Sequence, residues 1–136
     1  MRALLDTNVI LDVLLDRKPH AAASEAIWAA IETGAGKGFL AAHAITTIYY
    51  LVQKQLGSAQ ARQILRALLQ VFTVAAVDER VLKNALNLDC PDFEDSVALA
   101  AAQNAGCDFV ITRDPKGFRN APLRVFTPTA ALLVKK

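Results

Sequence analysis

Cysteine is scarce in this sequence. Cys90 and Cys107 are the two in 136 residues, and neither has a Cys or His nearby at metal-ligand spacing. This excludes a disulfide-framed scaffold and a zinc-finger type of centre, and predicts two free thiols with Cys107 in the core. Long apolar runs are missing too. Asp6, Asp12 and Asp16 interrupt the most hydrophobic N-terminal stretch, so no segment reaches the roughly 18 residues that cross a bilayer. The apolar segment after Arg2 is too short for a signal peptide and lacks a small-residue cleavage site, so the expected location is the cytoplasm, away from any membrane. Nor is there a strong surplus of one charge. A formal net charge of +2 is too mild to imply nucleic-acid binding by itself. Internal repeats, low-complexity stretches and linkers are likewise missing.

What is present is apolar bulk. Hydrophobic residues are 54% and charged residues 21% of the chain. A chain of this length has room for one core and not two, so residues 1–136 are expected to form a single domain. Charge is unevenly distributed. Basic residues gather at Lys54, Arg62 and Arg66 and again at Arg113, Lys116, Arg119 and Arg124, whereas Asp89, Asp92, Glu94 and Asp95 form an acidic cluster.

The hydrophobic pattern reads as strands alternating with helices. Ala3 to Leu5 is a short strand that runs through Asp6, Thr7 and Asn8 into a helix carrying Val9, Ile10, Val13 and Leu14. Pro19 is expected to open a second helix through Glu32, followed by a strand at Phe39 to Ala42 and a helix from Ile45 to Gln55. Gly57 and Ser58 separate that helix from another that ends near Val71, after which Thr73 to Val77 reads as a strand. Asp78 is placed to cap a helix through Asn87, and Asp92 to cap one from Phe93 to Ala105. Asp108 to Thr112 and Leu123 to Phe126 complete the strands, with Thr127 and Pro128 starting a terminal helix. Short buried strands between helices imply an α/β domain, three layers around a central, mostly parallel sheet of 4 to 5 short strands.

In such a sheet, ligands bind beyond the carboxyl ends of the strands. Asp6 and Asp114 follow strands, and Asp92 and Asp95 open a helix at the same edge. Each also has a plainer explanation. Asp6 and Asp92 can be helix caps, and Asp114 before Pro115 a turn former. Together, acids converging from distant segments repel one another unless a cation lies between them, which suits Mg²⁺ or Mn²⁺ with its oxygen ligands. The basic flanks then suit phosphate, with Arg113 and Lys116 as the expected substrate-binding residues.

Three motifs resemble the PIN-domain family, which includes the VapC toxins and PilT N-terminus-like domains. They are Leu-Leu-Asp-Thr-Asn-Val-Ile-Leu-Asp at 4–12, Asp-Phe-Glu-Asp at 92–95, and Val-Ile-Thr-Arg-Asp at 110–114. The resemblance implies a metal-dependent endoribonuclease that uses water as nucleophile, with Asp6, Asp95 and Asp114 as the catalytic, metal-binding acids and Asp92 as an auxiliary ligand. It implies that Asn8 fixes the loop around Asp6 and that Thr112 lies beside the metal. Its expected partners are RNA and a small antitoxin. A homodimer is expected from the apolar surplus of the helices at Ile45 to Leu56 and Ile64 to Val71.

One position departs from the family. Thr47 stands where a glutamate is usual, and a hydroxyl can bond a metal-bound water without balancing metal charge. Asp92 or Glu94 then compensates, or the chain is a PIN-like module that binds RNA or protein without cutting. His43, at the same strand-to-helix junction, reads as a surface or capping residue more readily than as a base. A phosphoaspartyl phosphatase is the remaining class with a strand-terminal Asp-Thr-Asn, but it needs an acid where Asn8 stands.

Overall fold

The computed structural model describes residues 1–134. Five strands form one sheet: β1 (Arg2–Leu5), β2 (Lys37–Ala41), β3 (Thr73–Ala75), β4 (Phe109–Ile111) and β5 (Arg124–Phe126). Their order across the sheet is β3-β2-β1-β4-β5, and every neighbouring pair is parallel. The period of two along each strand divides the core in two. Ala3 and Leu5, Leu40, and Phe109 with Ile111 enter one apolar cluster. Leu4, Phe39 with Ala41, and Val110 enter the other.

Helices cover both faces, as buried parallel sheets require. α1 (Thr7–Leu14), α2 (Ala21–Glu32), α3 (Ala42–Leu56) and α4 (Ser58–Val71) place Ile10, Ile27, Ile48 and Leu68 in the first cluster. α5 (Glu79–Leu86) and α6 (Phe93–Asn104) bring Val81, Ala85 and Leu99 to the second. α6 is buried continuously from Ser96 to Ala102. Its alanines let α5 and the sheet approach it from opposite sides, so it carries no amphipathic stripe. α7 (Pro128–Ala131) closes the described chain with Thr127 as its cap, the hydroxyl accepting from the Ala130 amide at 3.1 Å.

The predicted caps form. Asp78 accepts from the Val81 amide at 3.0 Å and Asp92 from the Asp95 amide at 3.0 Å. Cys107 is buried, and both cysteines are free thiols.

Boundaries differ where pairing overrides local pattern. β2 begins at Lys37, two residues before the apolar run, because Arg2 and Ala3 of β1 pair with Lys37 and Gly38. β3 stops at Ala75 and not Val77, since its partner β2 ends at Ala41, opposite Ala75. α3 starts at Ala42 directly from the strand, three residues before the expected Ile45. Pro19 does not open α2. The Ala21 amide bonds the Arg17 carbonyl across a turn at 2.8 Å, and regular helix begins only at Ala21. No helix among the described residues is long and apolar enough to cross a membrane.

Candidate functional site

The strand order reverses at the β1–β4 pair: β2 and β3 lie to one side of β1, β4 and β5 to the other. Segments leaving these two strands diverge and open a crevice at their carboxyl ends. A cleft of about 260 Å³ lies there, lined by Asp6 after β1, Asp114 after β4, Glu94 and Asp95 in the first turn of α6, and His43 and Thr47 on α3. The first turns of α1, α3 and α6 all contribute residues to its walls, so the positive ends of three helices adjoin the same space.

Asp6 is held from several sides. Its Oδ1 accepts the Thr7 amide at 2.8 Å, so the capping role and the cleft position coexist in one residue. Its Oδ2 accepts the Thr112 hydroxyl at 2.8 Å and is 3.4 Å from the Asn8 amide nitrogen. Thr112 is fully buried, and its hydroxyl in turn accepts the Asp114 amide at 3.1 Å. Asn8 ties the same two loops, its side-chain oxygen accepting the Arg113 amide at 3.2 Å. Asn8 and Thr112 thus stitch the β1 and β4 loops together.

Electrostatics in the cleft are unfavourable to the free carboxylates. Burial raises the Asp6 pKa, partly offset by the bonds from Thr112 and Thr7, with Glu94 and Asp114 adding repulsion. Asp95 is pushed up to about 7, first by burial and then by the negative charges of Asp6, Asp92, Glu94 and Asp114. Asp114 is exposed and its side chain makes no hydrogen bond among the described residues, which leaves it free for a ligand. No group of three His, Cys, Asp or Glu side chains among the described residues is set to hold a metal ion unaided. The all-oxygen donor set still fits a hard ion that keeps most of its waters and takes one or two carboxylates.

Four sequence expectations change in detail. Asp92 is spent on its cap and does not line the cleft, whereas Glu94 does. Arg113 does not face the cleft. Its guanidinium grips fully buried Asp12, with Nε 2.6 Å from Oδ2 and Nη2 3.3 Å from Oδ1, because a buried carboxylate needs a paired cation. Lys116 sits exposed on the 3-10 turn Pro115–Phe118, outside the cleft lining. His43 caps nothing; it is half-buried on the cleft wall, and its Nδ1 is buried without a partner. Among the described residues, the Arg or Lys that does line the cleft is Arg17, which no motif singles out.

A fully parallel sheet with acids converging at its switch point defines an open α/β architecture with an acidic cleft. Over residues 2–116 the chain matches the PIN domain family, and it belongs to that family. Among solved structures it is similar to VapBC-1 from nontypeable Haemophilus influenzae, at 15% identity and TM-score 0.73 over 95% of this chain and 99% of that one. It is similar to a toxin-antitoxin complex from Klebsiella pneumoniae, at 21% identity and TM-score 0.69 over 93% and 97%. A third is VapC20 of Mycobacterium tuberculosis, a sarcin-ricin-loop-cleaving toxin, at 15% identity and TM-score 0.63 over 79% and 86%. No curated protein sequence matches the chain.

Proposed function

We propose that the cleft is the active site of a divalent-metal-dependent endoribonuclease, and that the chain is the toxin of a toxin-antitoxin pair. The observation that carries this reading is the convergence of Asp6, Asp95 and Asp114 on one cleft from segments up to 108 residues apart in sequence. Family membership supports it, as does the likeness to the Klebsiella toxin-antitoxin complex and the M. tuberculosis toxin. RNA is accordingly the proposed substrate, and a small antitoxin protein the proposed partner.

Asp6, Asp95 and Asp114 would hold Mg²⁺ or Mn²⁺, with Glu94 replacing Asp92 as the auxiliary acid. Such an ion, when bound, lowers the pKa of a ligated water and stabilises charge on the phosphodiester. The chain's own residues prepare for this. Thr112 and the Thr7 amide fix the two oxygens of Asp6, and Asn8 holds the β1 loop against the β4 loop. The amino ends of α1, α3 and α6 would add partial positive charge near a phosphate in the cleft.

Thr47 on the cleft wall favours a second reading, a PIN module that binds RNA and cuts slowly or not at all. One experiment separates the two: labelled RNA with Mn²⁺, with EDTA as control, beside an Asp95→Asn variant. Cleavage abolished by both the chelator and the substitution supports the nuclease. Cleavage that survives both rejects the metal site, and binding without cutting under any metal supports the module.

The chain is also proposed to form a homodimer through α3 and α4. Tyr50 is 57% exposed and Leu69 46%, beside a groove of Ile45, Tyr49, Arg62 and Leu65. These apolar groups exceed what one buried face needs.

A further inference from the structure

We infer that Arg17 is the residue that binds a substrate phosphate at the mouth of the cleft. The assignment deepens the nuclease reading and rests on it for the identity of the substrate. The chain turns sharply at the end of α1, where Asp16 adopts the left-handed conformation (φ 48°) that a short polar side chain tolerates. The Arg17 amide then bonds back to the Asp12 carbonyl at 2.9 Å, which fixes the root of the side chain beside α1. From there Arg17 reaches the cleft that holds Asp6, Asp95 and Asp114, and among the described residues it is the only Arg or Lys in the lining.

Among the described residues its guanidinium makes a single ion contact and no hydrogen bond. Arg17 Nη1 is 4.0 Å from Asp12 Oδ1, a long contact, and the side chain is 38% exposed. Asp12 is already satisfied by Arg113, which meets both of its oxygens at 2.6 and 3.3 Å. Arg17 therefore keeps donors for an outside acceptor, and a guanidinium fork matches the paired oxygens of a phosphodiester. An otherwise acidic cleft repels a polyanion, so a fixed cation at its edge answers a need the carboxylates create. The two arginines divide the work: Arg113 neutralises the buried acid, which leaves Arg17 for the substrate.

The test compares Arg17→Ala, Arg17→Gln and Arg17→Lys for binding of a labelled single-stranded RNA with Mg²⁺ present, each built on an Asp95→Asn background so that the RNA stays intact. Loss of one phosphate contact lowers the slope of log affinity against log salt by about one and weakens binding several-fold at low salt. Arg17→Ala and Arg17→Gln are expected to show both changes, and Arg17→Lys to keep the slope. Equal affinity and equal slope in the folded Gln variant overturn the assignment, even if the parent chain cuts RNA in an Asp95-dependent way. A parent chain that cuts nothing defeats the nuclease reading, yet the binding comparison still decides Arg17. Should the Ala variant melt below the assay temperature, the Gln variant, which keeps the stem, carries the result.

Discussion

Gly117 lies against Asp95 so closely that a Cβ at this glycine would stand 2.5 Å from Asp95 Oδ2. The 3-10 turn after Asp114 thus packs on the first turn of α6, and the smallest side chain sits where the acid needs room. Gly117→Ala must displace the carboxylate or the turn. Since the atom met is the end of a side chain, the carboxylate yields and the fold survives. A loss in kcat/KM of about tenfold, equivalent to about 1.4 kcal/mol of barrier, is expected with little change in melting temperature. Cleavage kinetics beside thermal melting check this.

The metal-free protein should lose stability as pH rises through the cleft's titration. Asp95 has its pKa raised from 3.8 to about 7 in the fold, so the folded state binds more protons than the unfolded chain between those values. Stability therefore falls as pH climbs from about 4 to about 7, and levels off above. Asp95→Asn removes the repelling charge, so it should flatten the profile and raise the melting temperature at pH 8. Mn²⁺ should do the same for the parent chain only. Melting curves in EDTA and in Mn²⁺ across this range supply the test.

Asp12 and Arg113 should behave as a buried ion pair. Asp12 is fully buried, and Arg113→Ala strands its charge, a change that typically costs about 3–5 kcal/mol. Arg113→Lys retains charge but loses the two-point grip and falls between. Urea denaturation reports the order Arg, Lys, Ala, and a stable Ala variant would contradict the pairing.

Thr112→Val keeps the shape of a buried side chain and removes its hydroxyl. Asp6 Oδ2 loses its 2.8 Å donor and the Asp114 amide its acceptor. A stability cost of about 1–3 kcal/mol is expected, together with reduced cleavage. Thr112→Ser should restore most of both, which separates the hydroxyl's role from the methyl's.

Thr47→Glu places an acid on the cleft wall, at the position where the family resemblance implies a glutamate. It is expected to tighten Mn²⁺ binding and raise kcat/KM about tenfold or more, a gain of about 1.4 kcal/mol or greater. An unchanged Mn²⁺ affinity would mean that Glu94 already fills the role.

The sequence made Asp6 and Asp114 legible because each ends an apolar run, and a strand end in a parallel sheet is where ligands collect. Asp95 was legible through the spacing to its cap Asp92. The fate of the arginines was not. Arg113 stands between two site residues and reads as a phosphate contact, but its partner is 101 residues away, and nothing local marks Asp12 as buried. Arg17 was overlooked because the turn at Asp16 that redirects it carries no glycine or proline signal. Burial of Asp12 was the missing fact in both cases. The strand ends shifted for a similar reason: registry with β1 and β2 sets them, and registry is a long-range property.

The central claim is that Asp6, Asp95 and Asp114 together bind a divalent ion. Titration of Mn²⁺ followed by electron paramagnetic resonance tests it most directly, with the parent chain beside Asp6→Asn, Asp95→Asn and Asp114→Asn. One saturable site is expected, displaced by excess Mg²⁺ and weakened about tenfold or more, roughly 1.4 kcal/mol, by each substitution. Binding of equal strength in all four proteins would contradict it.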